Sequence, residues 1–332
     1  MIKVAQIGCG YWGPNLLRNF TALPECEVSH LVETSEERKE FVRNQHPSVN
    51  TSLSFEQILN EESIDGLVIA TPAGLHFEQT KQALLANKHV LVEKPMAKNV
   101  QEVDELIGIA SERKLVLMSG HTFIYNSAVE FIKESIRKGD LGEVRYLYSQ
   151  RLNLGRIRSD VDALWNFAPH DVSIIQYFLQ DQTPEEVSAQ GMSFIQEGID
   201  DVVFLNIRYP SSLANVHVSW LDPLKVRKIV IVGSEKMIVY DDVSDDKIAI
   251  YDKGIDKFSK LGESMDFDMP QPFSFKYRSG DILIPQLEYV EPLRQEAEEF
   301  MSCIREGKEA KTGAKHTREV IRILEMASKP QA

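Results

Sequence analysis

Gly8, Gly10 and Gly13 stand in the spacing G-x-G-x-x-G, and the chemistry open to them is to hold an anion. Between a strand and a helix, the first glycine permits a tight turn and the second lets the backbone approach a pyrophosphate without a Cβ. The third allows close helix packing, while unpaired N–H groups at the helix N-terminus face the phosphates. Tyr11 and Trp12 lie within this loop and are read with the glycines as cofactor-binding residues. Glu33 follows about 20 residues later, where a carboxylate accepts hydrogen bonds from ribose hydroxyls and repels a 2′-phosphate. The cofactor so predicted is NAD rather than NADP, although Arg38 and Lys39 just beyond can soften that preference. Thr71, Pro72 and His76 are expected at the same edge of the sheet and are counted with the cofactor site. The alternative for the loop is a glycine-rich turn without a ligand, and for His76 a solvated loop histidine.

The elements that must position these groups alternate. Residues 2–7 read as a buried strand, 14–20 as a helix, 28–32 as a strand, 35–44 as a helix, with a short helical piece at 55–59. Strands at 66–70, 89–92 and 115–119 alternate with helices at 78–86 and 100–113. Such βαβ alternation predicts a parallel, doubly wound sheet. After Gly120 the texture changes to a helix at 127–138, a strand at 144–153 and a helix from about Asn166 to Leu179. Strand-like runs at 202–209, 214–220, 228–232 and 237–241 carry Gly, Pro, Asp and Ser between them, the pattern of an antiparallel sheet. Residues 252–289 are polar and weakly periodic and are expected to be irregular. Two helices, 292–305 and 317–327, follow. The expected fold is thus an α/β Rossmann domain over residues 1–121, then an α+β domain over 122–332 with an open, mostly antiparallel sheet.

A chain of 332 residues exceeds the usual size of one hydrophobic core, consistent with two domains. The 43% hydrophobic and 26% charged composition is that of a globular protein. A net charge of -13 argues against a nucleic-acid partner, because affinity for a phosphate backbone comes from clustered Lys and Arg. Cys9, Cys26 and Cys303 lack the spacing of a disulfide framework or a zinc site, so no metal is expected and a reducing cytoplasm is. The apolar run before Gly8 is too short for a signal peptide or a membrane span, and a soluble protein with no membrane partner is expected.

Val92-Glu93-Lys94-Pro95, after the fourth strand of the Rossmann pattern, resembles the Glu-Lys-Pro signature of the Gfo/Idh/MocA oxidoreductase family. The resemblance extends along the chain through Gly8–Gly13, Ala70-Thr71-Pro72 with His76, Gly120–Asn126, Leu164–Asp171 and Glu291-Pro292-Leu293. The last three segments resemble the branch that oxidises the 3-hydroxyl of UDP-N-acetylglucosamine or its uronic acid. The resemblance implies that Lys94 lies beside the nicotinamide and the substrate hydroxyl, with Glu93 in the cofactor site, and that His170 exchanges the hydroxyl proton. It also implies a second domain whose exposed sheet face forms homodimers or homotetramers.

Alcohol oxidation by NAD needs a hydride acceptor and a base. A histidine side chain titrates near 6.5, so His170 suits the base, and the Lys94 ammonium can donate to a developing oxyanion. The family commonly has an acidic residue four positions before the histidine, and this chain has Asn166. At i and i+4 of a helix the two share a face, and an amide can orient a hydroxyl but cannot supply charge to an imidazolium. Equally, Asn166 with Pro169 reads as a helix N-cap with proline in the first turn. Arg151, Arg156 and Arg158, with Asn153 among them, suit capture of a diphosphate or carboxylate, the alternative being solvated charges at a strand edge. Tyr125 and Asn126 are expected to line the sugar site, or Tyr125 to be packing. Other functions compatible with the sequence are a dehydrogenase or ketoreductase of a free sugar or inositol, a non-catalytic NAD-binding regulator, and a redox-assisted glycosidase.

Overall fold

The computed structural model describes residues 1–259 and 273–328. Its chain divides into two compact units, the first of residues 1–129, 172–183 and 289–332 and the second of residues 130–171 and 184–288.

In the first unit, β1 (Ile2–Ile7), β2 (Cys26–Val32), β3 (Gly66–Ile69), β4 (His89–Glu93) and β5 (Leu117–Gly120) form a parallel sheet in the order β2-β1-β3-β4-β5. Neighbours β1 and β2 are wound to one side and β3 to the other, so the order reverses beside β1. The crevice beyond the carboxyl ends of β1 and β3 is therefore the binding position of such a sheet. Both faces of the sheet are apolar. Val4, Val68, Leu91 and Met118 join one buried cluster with Leu16, Leu17 and Phe20 of α1 (Gly13–Thr21), whereas Ala5, Ile7, Leu67, Ile69, Val90 and Val92 join another. Helices α2 (Glu36–Gln45), α3 (Phe55–Leu59), α4 (His76–Leu85) and α5 (Val100–Arg113) make the crossovers. Ser35 caps α2, Ser54 and Gln57 form a capping box on α3, and Asn99 caps α5, which ends at Lys114 in the left-handed conformation.

The carboxyl-terminal helices, α8 (Pro292–Glu306) and α9 (Ala314–Ala327), were expected in the second domain but belong to the first unit. Their apolar stripes decide this. Leu293, Ala297, Phe300 and Met301 complete the cluster over β1, with Phe300 edge-on to Phe20 at 6.2 Å, and α9 packs on α5 and β5.

The second unit holds most of α6 (Ser127–Lys138), the first half of α7 (Ala163–Phe178) and an eight-stranded sheet. The strands are β6 (Val144–Leu154), β7 (Glu186–Met192), β8 (Val202–Arg208), β9 (Leu213–Ser219), β10 (Leu221–Gly233), β11 (Met237–Asp241), β12 (Ile248–Ser259) and β13 (Phe273–Leu283). Their order is β13-β12-β11-β10-β6-β9-β8-β7, antiparallel throughout except for β6 with β9. Leu147, Leu205, Ile207, Val216, Val218 and Ile231 bury one face, and Tyr146, Tyr148 and Phe204 lie exposed on strands of the same sheet. Residues 252–289 were expected to be irregular; 260–272 lie outside the described residues, while 252–259 and 273–283 supply most of β12 and all of β13, which pair from Ile250 with Leu283 to Ser259 with Phe273. Tyr277, Ile282 and Leu283 on this sheet edge are more than half exposed, so no alternation of burial marked the strands in the sequence. Among the described residues no helix is long and apolar enough to cross a membrane.

Candidate functional site

The cofactor loop follows β1 directly. Gly8 sits at φ +91, and a Cβ on it would lie 2.7 Å from the Ala70 carbonyl oxygen beyond β3, so both conformation and space require glycine. A Cβ on Gly13 would stand 3.0 Å from the Gly8 oxygen and 3.2 Å from Gln6 Nε2, which donates to the Gly8 and Gly13 carbonyls. Gly10 differs, for its Cβ would meet no protein atom within 4 Å. The opening of α1 has no side-chain cap, Pro14 carries no N–H, and the Asn15 and Leu16 N–H groups donate to the Trp12 carbonyl. Open space at Gly10 beside an uncapped helix N-terminus fits a pyrophosphate.

Glu33 anchors this loop from the end of β2. Its carboxylate accepts from the N–H groups of Cys9 at 2.8 Å, Thr34 at 2.7 Å and Ser35 at 3.0 Å. Burial opposes its charge, but these donors and Arg38, 3.6 Å away, hold the carboxyl below its ordinary range. An anion thus stands where a ribose would be read, with Arg38 partly balancing it and Lys39 paired to Glu36. Tyr11 is almost fully exposed, while Trp12 turns its indole N–H to Glu93.

His76 is neither solvated nor turned toward a ligand. It is buried at the start of α4, with Nδ1 2.8 Å from the Pro95 oxygen and Nε2 2.8 Å from the Thr71 oxygen. Burial keeps its pKa below the ordinary histidine value although both carbonyls favour the proton. With both ring nitrogens occupied, it ties the segment after β3 to the one after β4. Thr71 donates its hydroxyl to Gln79 at 2.6 Å, and Pro72 is exposed.

Lys94 leaves the carboxyl end of β4 on this same edge, half-buried. Its charge reaches Glu93, His76 and His121. Burial pushes the Glu93 carboxyl up to about 7 against the pull of Lys94. A Cβ on Gly120 would lie 3.0 Å from the Glu93 carboxyl carbon, so glycine gives that carboxyl its room. Around it lies a buried polar layer that sequence reasoning missed. His121 is edge-on to His316 at 5.5 Å; His316 bridges Asp181 at 2.7 Å and Ser173 at 2.9 Å. Glu296 of α8, wholly buried, accepts from the Thr122 hydroxyl at 2.9 Å. One signal was available for Glu296, because it occupies the stripe of Leu293, Ala297 and Phe300 on an otherwise regular amphipathic helix.

Two residues expected at a sugar site are engaged elsewhere in the first unit. Tyr125 is 1% exposed, with its hydroxyl 3.3 Å from Thr312 Oγ1 and Lys311 over its ring, so it is core. Asn126 caps α6 by accepting from the Ala128 N–H at 2.9 Å.

In the second unit, Asn166 and His170 lie half-buried one turn apart on α7. Asn166 is not the cap. Asp162 accepts from the Trp165 N–H at 2.8 Å and its carbonyl from Asn166, so α7 starts at Ala163 and Pro169 lies inside it. Next to His170, Asp171 is buried and accepts from Arg151 Nε of β6 at 2.5 Å. Arg151 is therefore not a diphosphate ligand; it fixes α7 to the sheet. Arg158 pairs with Asp160. Arg156 is exposed, and Asn153 is half-buried at the end of the same strand. Among the described residues no cluster of three or more His, Cys, Asp or Glu is placed to hold a metal.

Comparison with known proteins matches residues 2–121 to a family model described as an oxidoreductase family with an NAD-binding Rossmann fold. Residues 129–239 match the Gfo/Idh/MocA C-terminal domain. An uncharacterized oxidoreductase of Streptococcus pneumoniae is 26% identical over 63% of this chain and 60% of its own length, so the match spans less than two thirds of that relative. The UDP-N-acetylglucosamine 3-dehydrogenase of Acidithiobacillus ferrooxidans is 26% identical over 76% of this chain and 78% of its own. A crystal structure of that dehydrogenase superposes with a TM-score of 0.80 at 22% identity, covering 98% of this chain and 96% of the other.

Proposed function

Because this chain belongs to the Gfo/Idh/MocA family of NAD-binding oxidoreductases, we propose that it oxidises the 3-hydroxyl of a UDP-N-acetylhexosamine, UDP-N-acetylglucosamine or its uronic acid, to the 3-keto sugar. The observation that carries the reaction is the position of Lys94. It stands at the carboxyl end of β4, two strands from the Gly8 turn on one sheet edge. Bound NAD supplies the hydride acceptor. Gly8, Gly10 and Gly13 hold its pyrophosphate and Glu33 its ribose. In our reading His170 takes the hydroxyl proton on its imidazole, and the Lys94 ammonium donates to the oxygen as negative charge grows there. Asn166, one turn before His170, orients a sugar hydroxyl through its amide.

The substrate class is supported by the relative from Acidithiobacillus ferrooxidans. The exposed Arg156 with Asn153 at the end of β6 suits a nucleoside diphosphate. We further propose a cytoplasmic homodimer or homotetramer. Its contact would be the sheet face carrying Tyr146, Tyr148 and Phe204, the last stacked on His217 at 4.2 Å. The three cysteines are free and buried, as suits a reducing compartment.

The test is nicotinamide reduction in single-turnover and steady-state form with UDP-N-acetylglucosamine, its uronic acid, free N-acetylglucosamine and myo-inositol. Reduction by the UDP-sugars alone, falling about a thousandfold in Lys94→Ala, is the expected result. Reduction by free polyols transfers the substrate to that class, and NADH binding without reduction by any of them overturns the dehydrogenase reading.

A further inference from the structure

Glu93, next to Lys94, and Glu296, which feels the Glu93 charge, are two buried carboxyls that the described residues partner incompletely. Glu93 Oε1 and Glu296 Oε1 are both inaccessible to solvent and make no hydrogen bond among the described residues. The segment Gly120–Thr122 runs between them, with the Glu93 carboxyl against Gly120 and the Thr122 hydroxyl on Glu296 Oε2. A buried carboxylate normally has a donor at each oxygen, and an unpartnered one costs about 1–3 kcal/mol or more. A single proton resolves both vacancies, because it turns one carboxyl into a donor and leaves the other an acceptor, directly or through one water.

We propose that Glu296 is a positioning residue that acts on Lys94 through Glu93, the two buried carboxyls sharing one proton so that a single negative charge stands beside the Lys94 ammonium. This rests on the dehydrogenase reading for its effect on turnover, but the shared proton stands independently of any substrate. Two like charges this close in a dry interior do not both ionise, and the pair titrates as a unit. Burial first, then Glu93, holds the Glu296 carboxyl well above its ordinary value, against the Thr122 hydrogen bond. Glu299 lies one turn on along α8 and faces Lys311 at 3.9 Å, while Arg18 of α1 is engaged by Glu291 at the start of α8. His121 is held well below its ordinary value by burial, with His316 and Lys94 adding to the shift. Among these described residues, the cation that acts on the pair is Lys94, through Glu93, and the proton decides how much negative charge faces it.

The experiment compares wild type with Glu296→Gln and Thr122→Val. Infrared spectra without substrate read the protonated-carboxyl band in mildly alkaline solution, above the value of about 7 at which Glu93 titrates, and the pH dependence of kcat reads its effect on turnover. Glu296→Gln is expected to lose that band. It should also move the acid limb of kcat up by about one pH unit, because the single charge on Glu93 loses the carboxyl proton that Glu296 shares with it. Thr122→Val removes a donor to the charged form and is expected to strengthen the band and move the limb up. A band of equal strength in all three, or its absence from wild type, overturns the shared proton. Unshifted limbs in two folded variants that do change the band overturn the action on Lys94. A band that behaves as expected in a protein inactive on every sugar overturns the proposed function and leaves the proton pair in place.

Discussion

The two units hold their candidate functional residues in different ways. On the Rossmann edge, side chains grip backbone: Glu33 takes three loop N–H groups, His76 clasps two carbonyls, and Gln6 two more. In the second unit the helix that carries His170 is tied to β6 by a buried ion pair, Arg151 with Asp171, and beyond it Arg156 is exposed and Asn153 half-buried. Backbone-tied geometry changes little with the side chains that surround it, so a cofactor common to a family suits the first unit. A substrate that varies suits the second, where a few side chains can change without loosening the frame.

The contrast can be broken most severely at the ion pair. Asp171→Ala takes the carboxylate from the buried Arg151 guanidinium, and the expected cost is about 3–5 kcal/mol of stability, read by denaturant unfolding. A variant as stable as wild type would mean that α7 is held by packing alone. A smaller effect is expected at Glu33→Ala, where the loop loses its anchor and the ribose its acceptor. NAD affinity should fall about tenfold and the preference over NADP narrow, as calorimetric titration of both dinucleotides would measure. The smallest belongs to the open side. Arg156→Ala should raise the KM for the UDP-sugar severalfold, about 1 kcal/mol, with kcat and stability unchanged; a fall in kcat instead would place Arg156 against the reacting centre.

What was legible in the sequence follows the same line. Gly8, Gly13 and Glu33 announce themselves because a positive φ, a tight approach and a cluster of N–H groups each accept so few residue types. His76 was legible as a polar residue at the edge but not as a clasp, since the carbonyls it holds lie five and nineteen residues away. The start of α7 was misplaced because Pro169 looks like a first-turn proline, whereas the helix runs six residues before it. Tyr125 and Arg151 carry polar groups that suit a ligand equally well, and only Thr312 and Asp171, distant in sequence, reveal what they bind. The strands β12 and β13 were lost because a sheet edge with both faces near water has no alternation to read.

The late position of α8 and α9 has a consequence for synthesis. The last strand of the parallel sheet ends at Gly120, while the helices that complete its apolar cover begin at Pro292 and Ala314. On the ribosome that sheet is made long before its cover, and Val4, Phe20 and their neighbours wait for Leu293 and Phe300 while the whole second unit is translated. The nascent chain passes through a stage with a sticky, half-clothed sheet, and truncations that remove only the carboxyl-terminal helices should aggregate rather than yield a free-standing nucleotide-binding domain.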